Sequence, residues 1–292
     1  MESMTNRSNL DHSEEINRLL DTVKEMNPEA LKDVQEFLEQ LTLGDRLSRY
    51  IDFDELPAED TDEFTFLKLV VDSKGIIIKK RLGTVGLTHY KAILFLSKYG
   101  FQSMYGGSVY ISPKNALDGV YIFQQQYSKA VISHETALYF HDLTDVIPKT
   151  TIMSLPKTYN LNQLFVWDGE SPHLTVSKAP STFHNKVRVI VHYSGNDSID
   201  IVRNNEIKSS EIETFETTFG NQVRVTTPER TIADILKTSS YTEAEVMFDA
   251  VKRYMNNPQS KELRLRRIAD EQGVKKRLDE CLTLLRSRGE IK

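Results

Sequence analysis

GLTHYKAILFLSKYGFQSMYGGSVYIS, residues 86–112, is the stretch on which the reading of this chain turns. Leu87 to Lys98 has apolar residues at helical spacing and Gly100 behind it, which predicts a short amphipathic helix with a glycine stop. FQSM and SVYIS then flank Tyr105-Gly106-Gly107. A Gly-Gly pair between short strands predicts a tight hairpin, because the central positions of the tightest turns need positive φ. A helix that runs into a hairpin either closes a small core or offers a helix and a wing to DNA.

The residues just upstream favour the second alternative. Phe64 to Val71 is strongly apolar, Lys74-Gly75 breaks it, Ile76 to Leu82 is a second helix-length segment, and Gly83 to Gly86 forms a turn. Helix, helix, turn, helix, hairpin is the order of a winged helix. On a helical wheel Thr88, Lys91, Ala92, Phe95 and Lys98 share one stripe, read here as the outward face. Tyr90, Ile93, Leu94 and Leu96 are then expected inside, with His89 on the core flank. The candidate DNA contacts are Lys79, Lys80, Arg81, Thr88, Lys91, Phe95 and Lys98, with Tyr105 and Ser108 on the wing. An ordinary solvated face is the alternative for the lysines.

Charge is distributed unevenly over the 292 residues. Residues 1–63 hold 18 Asp and Glu against six Lys and Arg, whereas Phe64 to Tyr110 holds seven basic residues against the single acid Asp72. A net charge of -5 therefore does not exclude a polyanionic partner, since the local field steers it. The one cysteine, Cys281, excludes an intramolecular disulfide and a thiolate metal cage. No apolar run is long enough to cross a bilayer, and a cytoplasmic location is expected.

The N-terminal region reads as an acidic helical hairpin. Ile16, Leu19, Leu20, Val23 and Met26 form one apolar stripe, Asn27-Pro28 separates it from the next, and the second helix is expected near Glu29 to Leu41. Further on, SHETALYFHDL at 133–143 predicts a serine-capped helix. Strands are expected at Thr150–Leu155, Gln163–Trp167, Val187–Tyr193, Ile199–Val202 and Val223–Thr226, with Gly195-Asn196-Asp197 as a turn. Thr227-Pro228 with Glu229 starts a helix, Thr242 and Glu245 form a capping box, and helices near Glu262–Asp270 and Val274–Leu285 follow.

Sites of chemistry are few. His134 and His141 are seven apart, whereas metal pairs on a helix sit four apart, and His173, His184 and His192 lie in other segments; no metal or other cofactor is expected. There is no G-x-S-x-G, P-loop or Gly-rich dinucleotide turn. Asp200, Glu206 and Lys208 have the acid-x-Lys spacing of some Mg²⁺-dependent nucleases, which stays open as an alternative. Arg230 and Asp234 are placed for an i,i+4 ion pair. Together with Arg264, Arg266 and Arg267 of RLRR and with Lys275 and Lys276, Arg230 makes up a candidate basic surface at the C-terminal end.

With those segments placed, VISHETALYFHDLTDVIP (131–148) followed by VRVTTPERTIADIL (223–236) resembles the AbiEi family of antitoxins, of type IV toxin-antitoxin systems in bacterial abortive infection, a form of phage defence. The similarity covers about residues 62–290. The resemblance implies a winged helix-turn-helix that binds inverted repeats in its own promoter and acts as a transcription repressor. It also implies a C-terminal domain that counters a nucleotidyltransferase toxin of the AbiEii kind, with no enzymatic activity of its own. Carried onto this chain, the DNA role falls on Thr88, Lys91, Phe95, Lys98 and the wing at 105–108, although the wing lacks the family's arginine. A stand-alone repressor remains the other non-enzymatic alternative. The expected architecture is α+β: an acidic helical extension over 1–60, the winged helix over 61–128, and an α+β antitoxin domain over 129–292.

Overall fold

A computed structural model describes residues 17–104 apart from 19, 107–160 apart from 117, the strands at 176–180 and 186–191, and residues 199–237 and 242–292. The expected strand at Gln163–Trp167, the turn at 195–197, His173, His184, His192 and the wing residue Tyr105 lie outside them, as do Ile16 and Leu19 of the first apolar stripe. The fold is mixed α+β. Two compact units divide it: one holds the described residues up to Ile77 with Leu82–Phe101 and Ser112–Asn115, the other Ile78–Arg81, Gln102–Ile111 and the described residues from Ala116 onward.

In the first unit residues 20–25 are helical and α1 follows over Pro28–Ser48. Its start is the one the sequence predicts: Asn27 Oδ1 accepts from the Ala30 N–H at 2.8 Å and proline fills the first turn. It runs seven residues past the expected end at Leu41, because Leu47 at its last turn and Ile51 beyond it are fully buried and hold it down. Thr61 caps α2 (Asp62–Asp72), which buries Phe64, Phe66, Leu67, Leu69, Val70 and Val71. At about 1.5–3 kcal/mol for each side chain removed from water, this helix is the main apolar anchor of the unit.

The segment Ile76 to Leu82 is not one helix. It divides into strand β1 (Ile76–Ile78) and a short helix α3 (Lys79–Thr84). Three consecutive β-branched residues lose χ1 freedom in a helix and fit a pleated strand, and all three are buried. The turn before β1 needs its glycine: Gly75 has φ +74°, and a Cβ there would lie 2.6 Å from Ser112 Oγ and 2.7 Å from the Tyr50 ring. α4 spans His89–Lys98, and the predicted hairpin is present as antiparallel β2 (Gln102–Met104) and β3 (Val109–Ile111), with Met104 opposite Val109. Gly107 in its turn has φ +72°. These strands form a three-stranded sheet in the order β1-β3-β2.

The second unit contains α5 (Gly119–Gln126), β4 (Val131–Ile132), α6 (His134–Phe140), β5 (Thr151–Pro156), β6 (Val176–Pro180), β7 (Lys186–Val191), β8 (Ile199–Asn204), a 3-10 turn at Ser209–Glu211, β9 (Ile212–Glu216) and β10 (Gln222–Thr226). The seven strands from β4 to β10 make one mixed sheet in the order β6-β7-β8-β5-β4-β10-β9. β5 pairs parallel with β8, and β10 parallel with β4; the other neighbours are antiparallel. Helices α7 (Pro228–Ile235), α8 (Ala244–Asn256), α9 (Glu262–Glu271) and α10 (Lys275–Ser287) close the chain. They share one apolar cluster that includes Leu138, Ile232, Leu236, Val251, Leu265, Leu278, Cys281 and Leu282. Cys281 is buried there, and that burial pushes its thiol up to about 11 despite the opposing charge of Arg277.

Two expected caps are differently used. The Ser133 hydroxyl makes no cap bond; it pairs with His134 Nδ1 at 2.9 Å and Ser154 Oγ at 2.7 Å. Thr242 forms no capping box, because its hydroxyl donates to Glu135 Oε1 at 2.5 Å and Glu243 takes the N-cap position. In both cases a tertiary partner displaces the local one. No helix among the described residues is long and apolar enough to cross a membrane.

Candidate functional site

The features with chemical potential are the outer face of α4 in the first unit and a buried charge cluster around α7 in the second. α4 begins at Thr88, whose Oγ1 accepts from the Lys91 N–H at 3.4 Å, and ends before Gly100 at φ +68°. Thr88 is thus the helix cap. Ala92, Leu96 and Tyr99 are buried, and Phe95 packs on Phe66 with ring centroids 5.5 Å apart. Phe66 also meets Tyr99 at 6.0 Å and Phe101 at 5.8 Å, an aromatic cluster that fixes the rotation of α4.

The wheel reading is reversed for Ala92, Phe95, Tyr90, Ile93, Leu94 and His89, while Leu96 lies inside as expected. Phe95 and Ala92 face inward, while Tyr90 is 73% exposed, Leu94 49% and Ile93 43%, with His89 and Ser97 exposed beside them. Two stripes of α4 have helical apolar spacing, and a wheel alone cannot choose between them. The choice is made by α2, which supplies Phe66 as a partner for Phe95, and by Ala92, small enough to let the helix come close. Ala92, Leu96 and Tyr99, at i, i+4 and i+7, are the signal for the inner face.

Lys91 and Lys98 are exposed but engaged. Lys91 Nζ pairs with Asp62, and Lys98 Nζ lies 2.5 Å from Glu63 Oε1, which also accepts the Tyr99 hydroxyl at 2.7 Å. Partial burial alone would raise the Glu63 carboxyl, but the hydrogen bonds from Lys98 and Tyr99 outweigh it and hold the group below its usual value. Lys79, Lys80 and Arg81 are exposed on α3. Ser108 is half-buried, and its carbonyl accepts from the Lys79 N–H at 2.9 Å.

Arg230 is no surface cation. α7 is buried from Glu229 to Ile235, and the Arg230 guanidinium is wholly enclosed. Its Nε donates to Asp234 at 3.1 and 3.2 Å, Nη1 to Glu211 at 2.5 Å and to the Glu206 carbonyl at 3.4 Å, and Nη2 to the Asn205 carbonyl at 3.3 Å. Lys237 Nζ extends the cluster, donating to Asp234 and Asn204 at 2.7 Å and to Gln272 at 2.9 Å. Burial would raise the Asp234 carboxyl; Arg230 first, then Lys237 and His134, reverse this and hold it low. Burial lowers Lys237, against the pull of Asp234. From Asn204 the chain of bonds continues through Ser154 and Ser133 to His134, which has φ +56°.

The remaining candidate basic surface is tied to its own acids. Arg264 Nη2 donates to the Ser210 carbonyl and its Nε lies 3.6 Å from Glu229; Arg266 is held by Glu262 and Asp279; Lys275 lies 3.6 Å from Asp270 and Lys276 4.0 Å from Glu280. Arg267 is exposed on α9. Alternation of acids and bases at helical spacing, rather than an excess of bases, organises this end.

Asp200, Glu206 and Lys208 have separate partners. The Asp200 side chain accepts the Thr150 hydroxyl at 3.1 Å and the Lys208 side chain pairs with Glu271 at 2.6 Å, while Glu206 meets Arg230 through its main-chain carbonyl. His141 donates from Nε2 to the Thr226 carbonyl at 2.6 Å. Among the described residues no group of three or more His, Cys, Asp or Glu side chains is placed to hold a metal ion. No protein-family model matches the chain, and no curated protein matches it significantly, so a functional reading has to stand on these residues and their chemistry.

Proposed function

We propose that the segment from α2 to β3 is a winged helix that binds DNA, and that the chain is an antitoxin that represses its own promoter and counters a nucleotidyltransferase toxin. The observation that carries the DNA reading is the element order: helix, strand, helix, helix, then a hairpin, with the strands ordered β1-β3-β2. The basic excess of this segment, seven Lys and Arg against Asp62, Glu63 and Asp72 from Asp62 to Ile111, supports it. The antitoxin role rests on the resemblance of residues 131–148 and 223–236 to AbiEi antitoxins, and a bacterial cytoplasm is the setting that goes with it.

The test uses the full chain and a duplex of the region upstream of its own reading frame. Binding should weaken at every sequence in Lys79→Ala/Lys80→Ala/Arg81→Ala, and the slope of log affinity against log salt should fall by about one unit for each phosphate no longer neutralised. An unchanged slope would remove these residues from the interface, and absence of binding to any duplex would remove the reading. The antitoxin role is tested by co-expression with a nucleotidyltransferase encoded beside it: restored growth is expected, and continued growth arrest would leave a stand-alone repressor.

A further inference from the structure

The outer face of α4 has an unusual composition for a helix meant to meet a polyanion. The two lysines on its flank are held by Asp62 and Glu63 at the start of α2. The most exposed of its large hydrophobic residues is Tyr90, with Ile93 and Leu94 one turn on and Ser97 a turn later. Residues at i, i+3, i+4 and i+7 follow one side of a helix for about 10 Å, the rise of about three base pairs. That side offers hydrogen-bonding groups at its ends, from His89, Tyr90 and Ser97, and only aliphatic carbon at its centre.

Aliphatic carbon cannot read the oxygen and nitrogen atoms of base edges, and covering them with it would leave them unpaired. The one apolar group on the major-groove edge is the thymine 5-methyl. Resting on the DNA-binding reading above, we infer that Ile93 and Leu94 are specificity-determining residues that read thymine methyl groups. α4 therefore selects A·T-containing steps of B-form DNA over G·C steps. The same chemistry rejects RNA, whose uracil lacks the methyl and whose major groove is too deep and narrow to admit the helix. The occupant is DNA rather than a protein surface because the segment from α2 to β3 carries seven Lys and Arg against three acids, Asp62, Glu63 and Asp72, and Lys79, Lys80 and Arg81 among them are exposed.

The experiment selects a duplex with the full chain from a library of randomised 20-base-pair DNA, then makes that duplex twice, with thymine and with deoxyuridine. Taking about two methyl groups out of the interface should weaken binding about 15-fold, since each buried methyl is worth roughly a factor of four. In Ile93→Ala/Leu94→Ala the preference for thymine should fall below about twofold, with the salt slope unchanged because the phosphates stay neutralised as before. Equal affinity of the unaltered chain for both duplexes would overturn the inference and leave the DNA reading intact. Failure to enrich any duplex would overturn both. A drop in molar mass of the DNA-free protein on making the double variant, seen by light scattering, would assign the face to a second copy of the chain and overturn the inference too.

Discussion

Two helices here carry cations of the kind that a sequence offers to solvent, and they are used in opposite ways. On α4, Lys91 and Lys98 stay half in water and lean on Asp62 and Glu63. On α7, Arg230 has no exposed surface, and five acceptors from Asp234, Glu211, Glu206 and Asn205 surround it. The difference teaches that an ion pair's worth depends on what is left behind when it breaks. Water takes over a surface carboxylate at little cost, whereas an enclosed one has no substitute.

The sharpest way to break this comparison is Arg230→Ala. It strands Asp234 and Glu211 without their shared donor, and the loss should be about 3–5 kcal/mol, read from urea unfolding. A loss below about 1 kcal/mol would mean that the cluster can rehydrate, and the contrast with α4 would fall.

Acid should act next. Burial holds the His141 imidazole below its ordinary 6.5, against the opposing hydrogen bond to Thr226 and the charges of Glu213, Glu229 and Asp142. A depressed group contributes stability that is present above the ordinary value and is lost as pH falls below it, because the unfolded chain takes up the proton first. Stability should therefore decline from pH 7 toward pH 5, by at most about 1.4 kcal/mol per pH unit for one proton, and His141→Gln should flatten that decline. Asp234, also depressed, has the same sign but acts only below its ordinary 3.8, and Glu63 in the other unit acts below its ordinary 4.5. A decline as steep in His141→Gln as in the unaltered protein would assign the acid sensitivity to another group.

The smallest effect belongs to Lys98→Ala, which should cost under about 1 kcal/mol in the same unfolding measurement and vanish in high salt. Glu63 keeps the Tyr99 hydroxyl and is only half-buried, so water can take the place of Lys98. A larger cost would show that the α2–α4 pair behaves more like the enclosed cluster than its exposure suggests.

What the sequence discloses divides along the same line between local and distant causes. The starts of α1 and α7 are legible because a cap and a following proline are settled within four residues, at Asn27-Pro28 and Thr227-Pro228. The hairpin needs only the φ preferences of its glycines, whereas the isoleucine run is misread, because its basic tail, continuous with α3, gives the whole segment the length of a helix and hides the χ1 preference for a strand. Which side of α4 faces out is not legible, since Phe66 and Phe95 are 29 positions apart and nothing near α4 announces their contact. Arg230 is legible as half of an ion pair with Asp234 but not as a buried group. Glu211, Asn205 and Glu206 come to it from a strand end and turn that only the folded sheet places there. Ser133 and Thr242 carry cap signals that tertiary partners take over.

The burial of Cys281 has a practical consequence. Thiolate, not thiol, reacts with maleimides and iodoacetamides, and a side chain shut inside the α7–α10 cluster with its ionisation pushed to about 11 offers almost none at neutral pH. The native chain is therefore nearly silent to thiol-directed dyes. A cysteine placed at exposed Ser97 would be its dominant labelling position, so a single fluorophore could be set beside Ile93 and Leu94 without first removing the natural residue.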